Sequence, residues 1–287
     1  MVVTLFERYQ AGARRQVWDD LVALGPAVFE PEWHADAVAV AATTMERAAS
    51  NVATIVERLN RMGYRFAVPY WDSEALQESH DRERLRAQMV AAGEDPSWVD
   101  GGEPDQFAYT WAPRRGARRE QIERADRIVG PLPISLRALW SNVGEVALQG
   151  SFLSWVPSAF AFEDELPWPE QGLYSAPLNL SDERAMFGYC TPGTDDIDAR
   201  YRDDAGRFRY SLGADEIHGA GFSGGSHTVL LPQPTADPVV QGVRDHDGIR
   251  LVEYLRLCFD WGGFPGFAST GTAPAEIAAL REGLLPI

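Results

Sequence analysis

The chain has 287 residues, 45% of them hydrophobic, and its 42 acidic residues outweigh 26 basic ones to give a net charge of −16. That is enough apolar material for one large domain or two small ones without covalent staples, and the negative field disfavours nucleic acid as a partner. All 26 basic residues are arginine, which excludes the chemistries that need a lysine: a phosphate loop, a Schiff base, a kinase-type ATP site and a Ser-Lys hydrolase.

From the N-terminus, Phe6, Tyr9, Ala13, Val17, Leu21 and Leu24 recur at spacings of three and four until Gly25-Pro26, which predicts an amphipathic helix over 5–24. A second helix is expected over 36–62. Val38, Met45, Val52 and Leu59 form one apolar row, Ala41, Ala48, Ile55 and Met62 the neighbouring one, and Gly63 is the stop. Residues 64–69 read as a short strand. The pattern then weakens through a Pro-, Gly- and acid-rich connection over 70–115 that carries Trp71, Trp98 and Trp111 and one helix over 79–92.

Regular structure resumes with a helix over 118–130, a break at Pro131-Leu-Pro133, a helix over 134–143 with Leu136, Leu139, Trp140 and Val143 on one side, and a strand over 145–150. Further strands are expected at 185–190, 208–212 and 227–231, and a last helix over 249–259 closed by Gly262-Gly263. The sum is an α+β fold, a mostly antiparallel sheet flanked by helices. Residues 1–110 form an N-terminal helical segment and surface-packing connection, and 111–287 the α+β domain.

Catalytic constellations are sparse. Gly221-Phe-Ser223-Gly-Gly225 matches G-x-S-x-G, but a nucleophile elbow needs a strand before the serine and a helix after it, whereas Ser226-His227-Thr-Val-Leu-Leu reads as a strand. A triad would have to be assembled from His227 or His246 with Asp237 or Asp245. His34, His80, His218, His227 and His246 show no metal-ligand spacing, and Asp215, His218 and His227 are the set that a hairpin could bring together. A hydrolase, through Ser223 or a metal, is the alternative function. Neither a catalytic residue, a metal ligand nor a cofactor is expected.

The two cysteines, Cys190 and Cys258, lack CxxC spacing and read as reduced thiols of a cytoplasmic protein. No apolar run is long enough to span a membrane, and charge follows Met1 too soon for a signal peptide, so no membrane association is expected. The basic patch at Arg114, Arg115, Arg118 and Arg119 runs into Glu120, Glu123 and Asp126 and reads as a solvated helix entry.

Acidic residues concentrate between Glu163 and Asp247, where sixteen face six arginines. Beside them aromatics interleave with carboxylates. Trp155, Phe160, Phe162, Glu163, Asp164, Glu165 and Trp168, with Asp195, Asp196 and Asp198 further on, are the expected partner-binding residues. Rigid aromatics supply contact area, and a negative rim steers a basic protein. The Asp runs at 195–198 and 203–204 lack the register of a calcium loop.

The stretch Leu132-Pro-Ile-Ser-Leu-Arg-Ala-Leu-Trp140-Ser-Asn-Val-Gly144-Glu-Val-Ala-Leu-Gln-Gly150 resembles the SUKH superfamily, which includes fungal cell-wall-synthesis regulators and bacterial immunity proteins against polymorphic toxins. Its recurring order is a helix, Leu-Pro-x-Ser-Leu/Tyr, a second helix ending in Gly, then a strand, and Glu120 to Gly150 follows it; Glu145 stands where a second glycine often does. The ending Tyr254-Leu-Arg-Leu-Cys-Phe-Asp-Trp-Gly-Gly-Phe-Pro-Gly266 is similar to that of an uncharacterised bacterial branch. The resemblance implies a SUKH-like domain over 111–287 and a noncatalytic role in binding a protein, such as neutralising a basic toxin domain of nuclease type. A scaffold or regulator unrelated to toxins is the other noncatalytic alternative.

Overall fold

The computed structural model describes residues 3–66, 116–148, 150–151, 177–214, 226–243, 245–270 and 273–287. The expected connection over 70–115 and its helix lie outside them, as does the expected domain boundary near residue 110.

The first apolar stripe makes two helices, α1 (Leu5–Gln10) and α2 (Arg14–Ala23), where one was expected. The break falls at Gly12, whose φ is +103°, a conformation that glycine adopts freely and that ends a helix. Thr4 and Glu7 form a reciprocal capping box at the start of α1, and Asp36 accepts the Leu5 N–H at 2.7 Å. A 3-10 turn (Gly25–Phe29) leads into α3 (Pro31–Met62), which begins earlier than the apolar pattern because Pro31 occupies its first turn, where its missing N–H costs nothing. Gly63 caps its end in the left-handed conformation, φ +80°.

The buried face of α3 carries Val40, Met45, Val52, Ile55, Val56 and Leu59. At roughly 1.5–3 kcal/mol per large side chain, burying this stripe contributes on the order of 10 kcal/mol gross. Val38, placed inside by the seven-residue spacing, is 40% exposed. The 3.6-residue period drifts away from a strict heptad, and Thr44 and Asn51 take inward places instead.

Beyond α3, β1 (Arg65–Phe66) pairs antiparallel with β3 (Gly150–Ser151). Helix α4 (Arg119–Val129) buries Ile122, Ala125 and Val129, and α5 (Ile134–Asn142), which buries Leu136, Leu139 and Trp140, packs against α3. β2 (Val146–Ala147) pairs with β4 (Asn179–Leu180), and β5 (Phe208–Ala214) with β6 (Ser226–Leu231), both antiparallel. The β2–β4 and β5–β6 pairs meet where Ser181 N–H donates to Leu212 C=O at 2.7 Å, and Thr228 of β6 exchanges two bonds with Gln241 on a later segment. The expected mixture of helix and antiparallel sheet is present.

A strand was expected over 185–190, but residues 183–187 form a short helix, α6 (Glu183–Phe187). Asp182 caps it by accepting from Arg184 N–H at 3.0 Å, a side-chain bond that outcompetes a strand ladder at this point. Helices α7 (Leu251–Asp260), α8 (Gly266–Thr270) and α9 (Ala275–Arg281) complete the described elements. Buried side chains from Leu5 to Ile287 belong to one hydrophobic cluster, so the N-terminal helices share their core with the later elements.

Candidate functional site

Of the expected partner-binding residues, Trp155, Phe160, Phe162, Glu163, Asp164, Glu165 and Trp168 lie outside the described residues, while Asp195, Asp196 and Asp198 sit in a well-built loop. Cys190 and Ile197 form an isolated antiparallel bridge at its base. Thr191 N–H donates to Asp196 C=O at 2.8 Å, and Asp196 N–H to Thr194 Oγ1 at 3.1 Å. Asp198 caps a 3-10 turn (Ala199–Tyr201) through Arg200 N–H, and Asp203 Oδ1 accepts from Ala205 and Arg207 N–H at 3.1 and 2.8 Å. Beneath lie buried Ile197 and the edge-to-face rings of Tyr189 and Tyr201, 4.7 Å apart.

The loop's charges are divided. Asp195 binds Arg124 of α4 at 2.5 Å; that bond holds its carboxyl below the usual carboxylate range, and the guanidinium also lies 4.4 Å over the Phe187 ring. Asp198 pairs with Arg200 at 3.2 Å and Asp203 with Arg207 at 2.8 Å. Asp196 and Asp204 are exposed and stand outside these pairs. The acidic run is thus a fixed loop whose tip carries the unneutralised carboxylates.

A second acidic group is buried, and the sequence reading missed it. Arg184 Nη2 reaches Glu145 Oε2 at 2.8 Å and also pairs with Asp182. Glu145, Asp182 and Glu183 are 2%, 6% and 3% exposed. Burial and then the Asp182 charge push the Glu183 carboxyl up. The β2–β4 register pairs Ala147 with Asn179 and Val146 with Leu180; one step further sets Glu145 across from Ser181. Residues two apart share a face, so Glu145, Asn179 and Ser181 line one side of this ribbon. Asn179 Oδ1 and Glu183 Oε2 are buried without a hydrogen-bond partner. The available signal was the alternation Leu178-Asn-Leu-Ser181 running into Asp-Glu-Arg, polar every second residue within an apolar strand.

The motif that carries the SUKH resemblance is accounted for by framework contacts. Ser135 Oγ donates to Asp237 Oδ1 at 2.6 Å, and both residues are buried. Asp237 also accepts the Val252 N–H at 3.1 Å, capping α7, whose own N-cap residue, Arg250, makes no side-chain capping bond. Ile134 and Ser135 N–H donate to Thr235 and Ala236 C=O, satisfying the start of α5.

No family model, curated protein or solved structure matches this chain.

Of the hydrolase and metal candidates, Ser223 and His218 lie outside the described residues. His227 is buried with its ring edge-on to Tyr254 at 5.3 Å, and His246 is exposed on a loop. Among the described residues no three His, Cys, Asp or Glu side chains gather as metal ligands, and no helix is long and apolar enough to cross a membrane. Cys190 and Cys258 are unpaired; burial pushes the Cys258 thiol up, which suppresses thiolate chemistry. A groove of about 1130 Å³ runs beside α7, α9 and the C-terminal tail, lined by Arg15, Arg256, Trp261, Arg281 and Leu285 among others.

Proposed function

We propose that this chain is a noncatalytic protein-binding protein on a SUKH-like framework, that its partner is a basic protein, and that its specific role is immunity against a basic toxin domain such as a nuclease. One observation carries the reading: the acidic loop over 190–207 is held by its own backbone bonds, caps and half-buried rings while Asp196 and Asp204 face solvent. A recognition surface fixed before binding avoids the entropy of ordering on association, and its charge steers a partner of opposite sign. The motif's one buried hydroxyl, Ser135, is engaged with Asp237, which supports assigning the motif to the framework and the function to the surface. The unpaired Cys190 and Cys258 are compatible with the reducing cytoplasm, where we place the protein.

Affinity capture from a lysate of the source organism tests this. At low salt a basic protein is retained and reconstitutes a complex from purified components; at about 0.5 M salt, where the Debye length falls to a few ångströms, it is released. Recovery of no basic protein at either salt refutes the reading.

A further inference from the structure

We infer that the ribbon face formed by Glu145, Asn179 and Ser181, together with Asp182 and Glu183, is a receptor for a single organic cation, an alkylammonium or guanidinium group, over which Arg184 lies as an internal stand-in. Three carboxylates here are 2–6% exposed, and Arg184 pairs with two of them, Glu145 and Asp182. Buried carboxylates persist as ions only with compensating donors. Arg184 engages Glu145 and Asp182, which leaves Glu183 Oε2 and Asn179 Oδ1 as two sealed acceptors without donors.

Orphan buried acceptors are uncommon in native folds and call for a donor. One on Glu183 itself and one on Asn179 of the same ribbon point to its chemistry: a positive group with several N–H bonds. Among the described residues no three such side chains gather as metal ligands, and oxygen acceptors of this kind match the N–H donors of a flat or tetrahedral nitrogen cation.

Access follows from exposure. Arg184 is the solvent-exposed member of the group, its side chain 45% accessible. Swinging it outward opens the ribbon face, and the incoming cation replaces its bonds while reaching the two orphan oxygens. Such exchange of one cation for another keeps the buried charges compensated throughout.

The cation has two sources, a free amine or a basic side chain of a partner. Where it is a side chain the inference rests on the binding-protein reading above; titration with a free probe tests the receptor without that reading, so the two fail separately. The experiment is a nitrogen-15 NMR titration of the full chain with methylguanidinium chloride, with tetramethylammonium chloride as a cation of equal charge and no N–H. Methylguanidinium is expected to give saturable shifts at the Asn179 side-chain amide and the Arg184 Nε, and tetramethylammonium none. Glu183→Gln, which keeps the shape and removes the charge, is expected to weaken the affinity by about tenfold.

Agmatine binding more tightly than an acetyl-Gly-Arg-Gly-amide peptide assigns the site to a free amine, and the reverse order to a partner's side chain. Equal shifts with tetramethylammonium, or an affinity unchanged in Glu183→Gln, overturn the proposal. Should Glu183→Gln fail to fold, Arg184→Ala provides the second test. Removing the internal competitor is expected to tighten methylguanidinium binding by about tenfold, and no change there overturns the proposal equally.

Discussion

The Ser135 hydroxyl donates to a carboxylate oxygen of Asp237 at 2.6 Å across 102 positions of sequence, both side chains fully inside the protein. Asp237 thereby joins two helices: its oxygens hold Ser135 at the start of α5 and the Val252 N–H at the start of α7, and Arg250 donates to its backbone carbonyl at 2.7 Å. Burial raises its carboxyl from 3.8 to about 7, against the opposing pull of the Ser135 and Val252 bonds.

This sets a pH dependence. The folded state holds the Asp237 proton more tightly than the unfolded chain, so the contribution is greatest below about pH 4, declines as pH rises toward 7, and is flat above. Asp237→Asn keeps an acceptor for Val252 and a group to meet Ser135 but has no proton to lose. Urea unfolding of the two proteins between pH 4 and 7 should show the wild type losing stability relative to the variant, with a slope difference of up to about 1.4 kcal/mol per pH unit.

Thr44 predicts a second effect. Its hydroxyl, buried in α3, receives the Trp18 Nε1–H at 3.2 Å and lies 2.9 Å from Tyr9 Oη and 2.8 Å from Val40 C=O. It thus ties α1 and α2 to the long helix. Thr44→Val preserves shape and leaves the indole N–H and the phenol without this partner in the core, costing about 1–3 kcal/mol. Chemical denaturation measures it, and a loss confined to α1 and α2 appears as faster amide exchange there.

Asn51 predicts a third. Its side-chain amide donates to Leu285 C=O at 2.9 Å and accepts the Leu285 N–H at 2.7 Å, and Arg58 caps α9 through the carbonyls of Ala279, Leu280 and Glu282. Asn51→Ala removes both tail bonds at once. Hydrogen exchange at Leu285 should accelerate markedly while the centre of α3 keeps its protection, because the tail opens locally.

Gly213 offers a fourth, at the bulge in β5. A methyl group on its Cα would lie 2.0 Å from Asn179 C=O, a backbone atom that cannot yield without moving β4. Gly213→Ala should therefore destabilise the β4–β5 contact, lower the melting temperature, and perturb the Asn179 resonances before those of α3.

Much of the helical framework was legible because it rests on period and punctuation. The stop at Gly63, the break at Pro131-Leu-Pro133 and the inward face of Leu136, Leu139 and Trp140 each follow from local chemistry. The strands were less so. β2, β3 and β4 are two residues each, too short for an alternating pattern to stand out, and the acidic cap at Asp182 turned an expected strand into α6.

The candidate site was legible only in part. The Asp195–Asp198 run announced its charge, but its partners Arg124 and Arg200 include one from 71 positions away that no local pattern reveals. Glu145, Asn179 and Glu183 are ordinary polar residues in the sequence. Their significance comes from burial that β-pairing imposes on them.

The recognition surface supplies the decisive measurement. Asp196→Asn and Asp204→Asn combined remove two exposed charges that the loop does not use in its ion pairs, so the fold should be kept, as circular dichroism and unchanged Asp195–Arg124 resonances would verify. Stopped-flow association with the basic partner, run across ionic strength, then reads the surface directly. The account predicts a slower association rate at low salt and a shallower salt dependence in the double variant, with rates converging at high salt. Identical rates and identical salt slopes for the two proteins would contradict it.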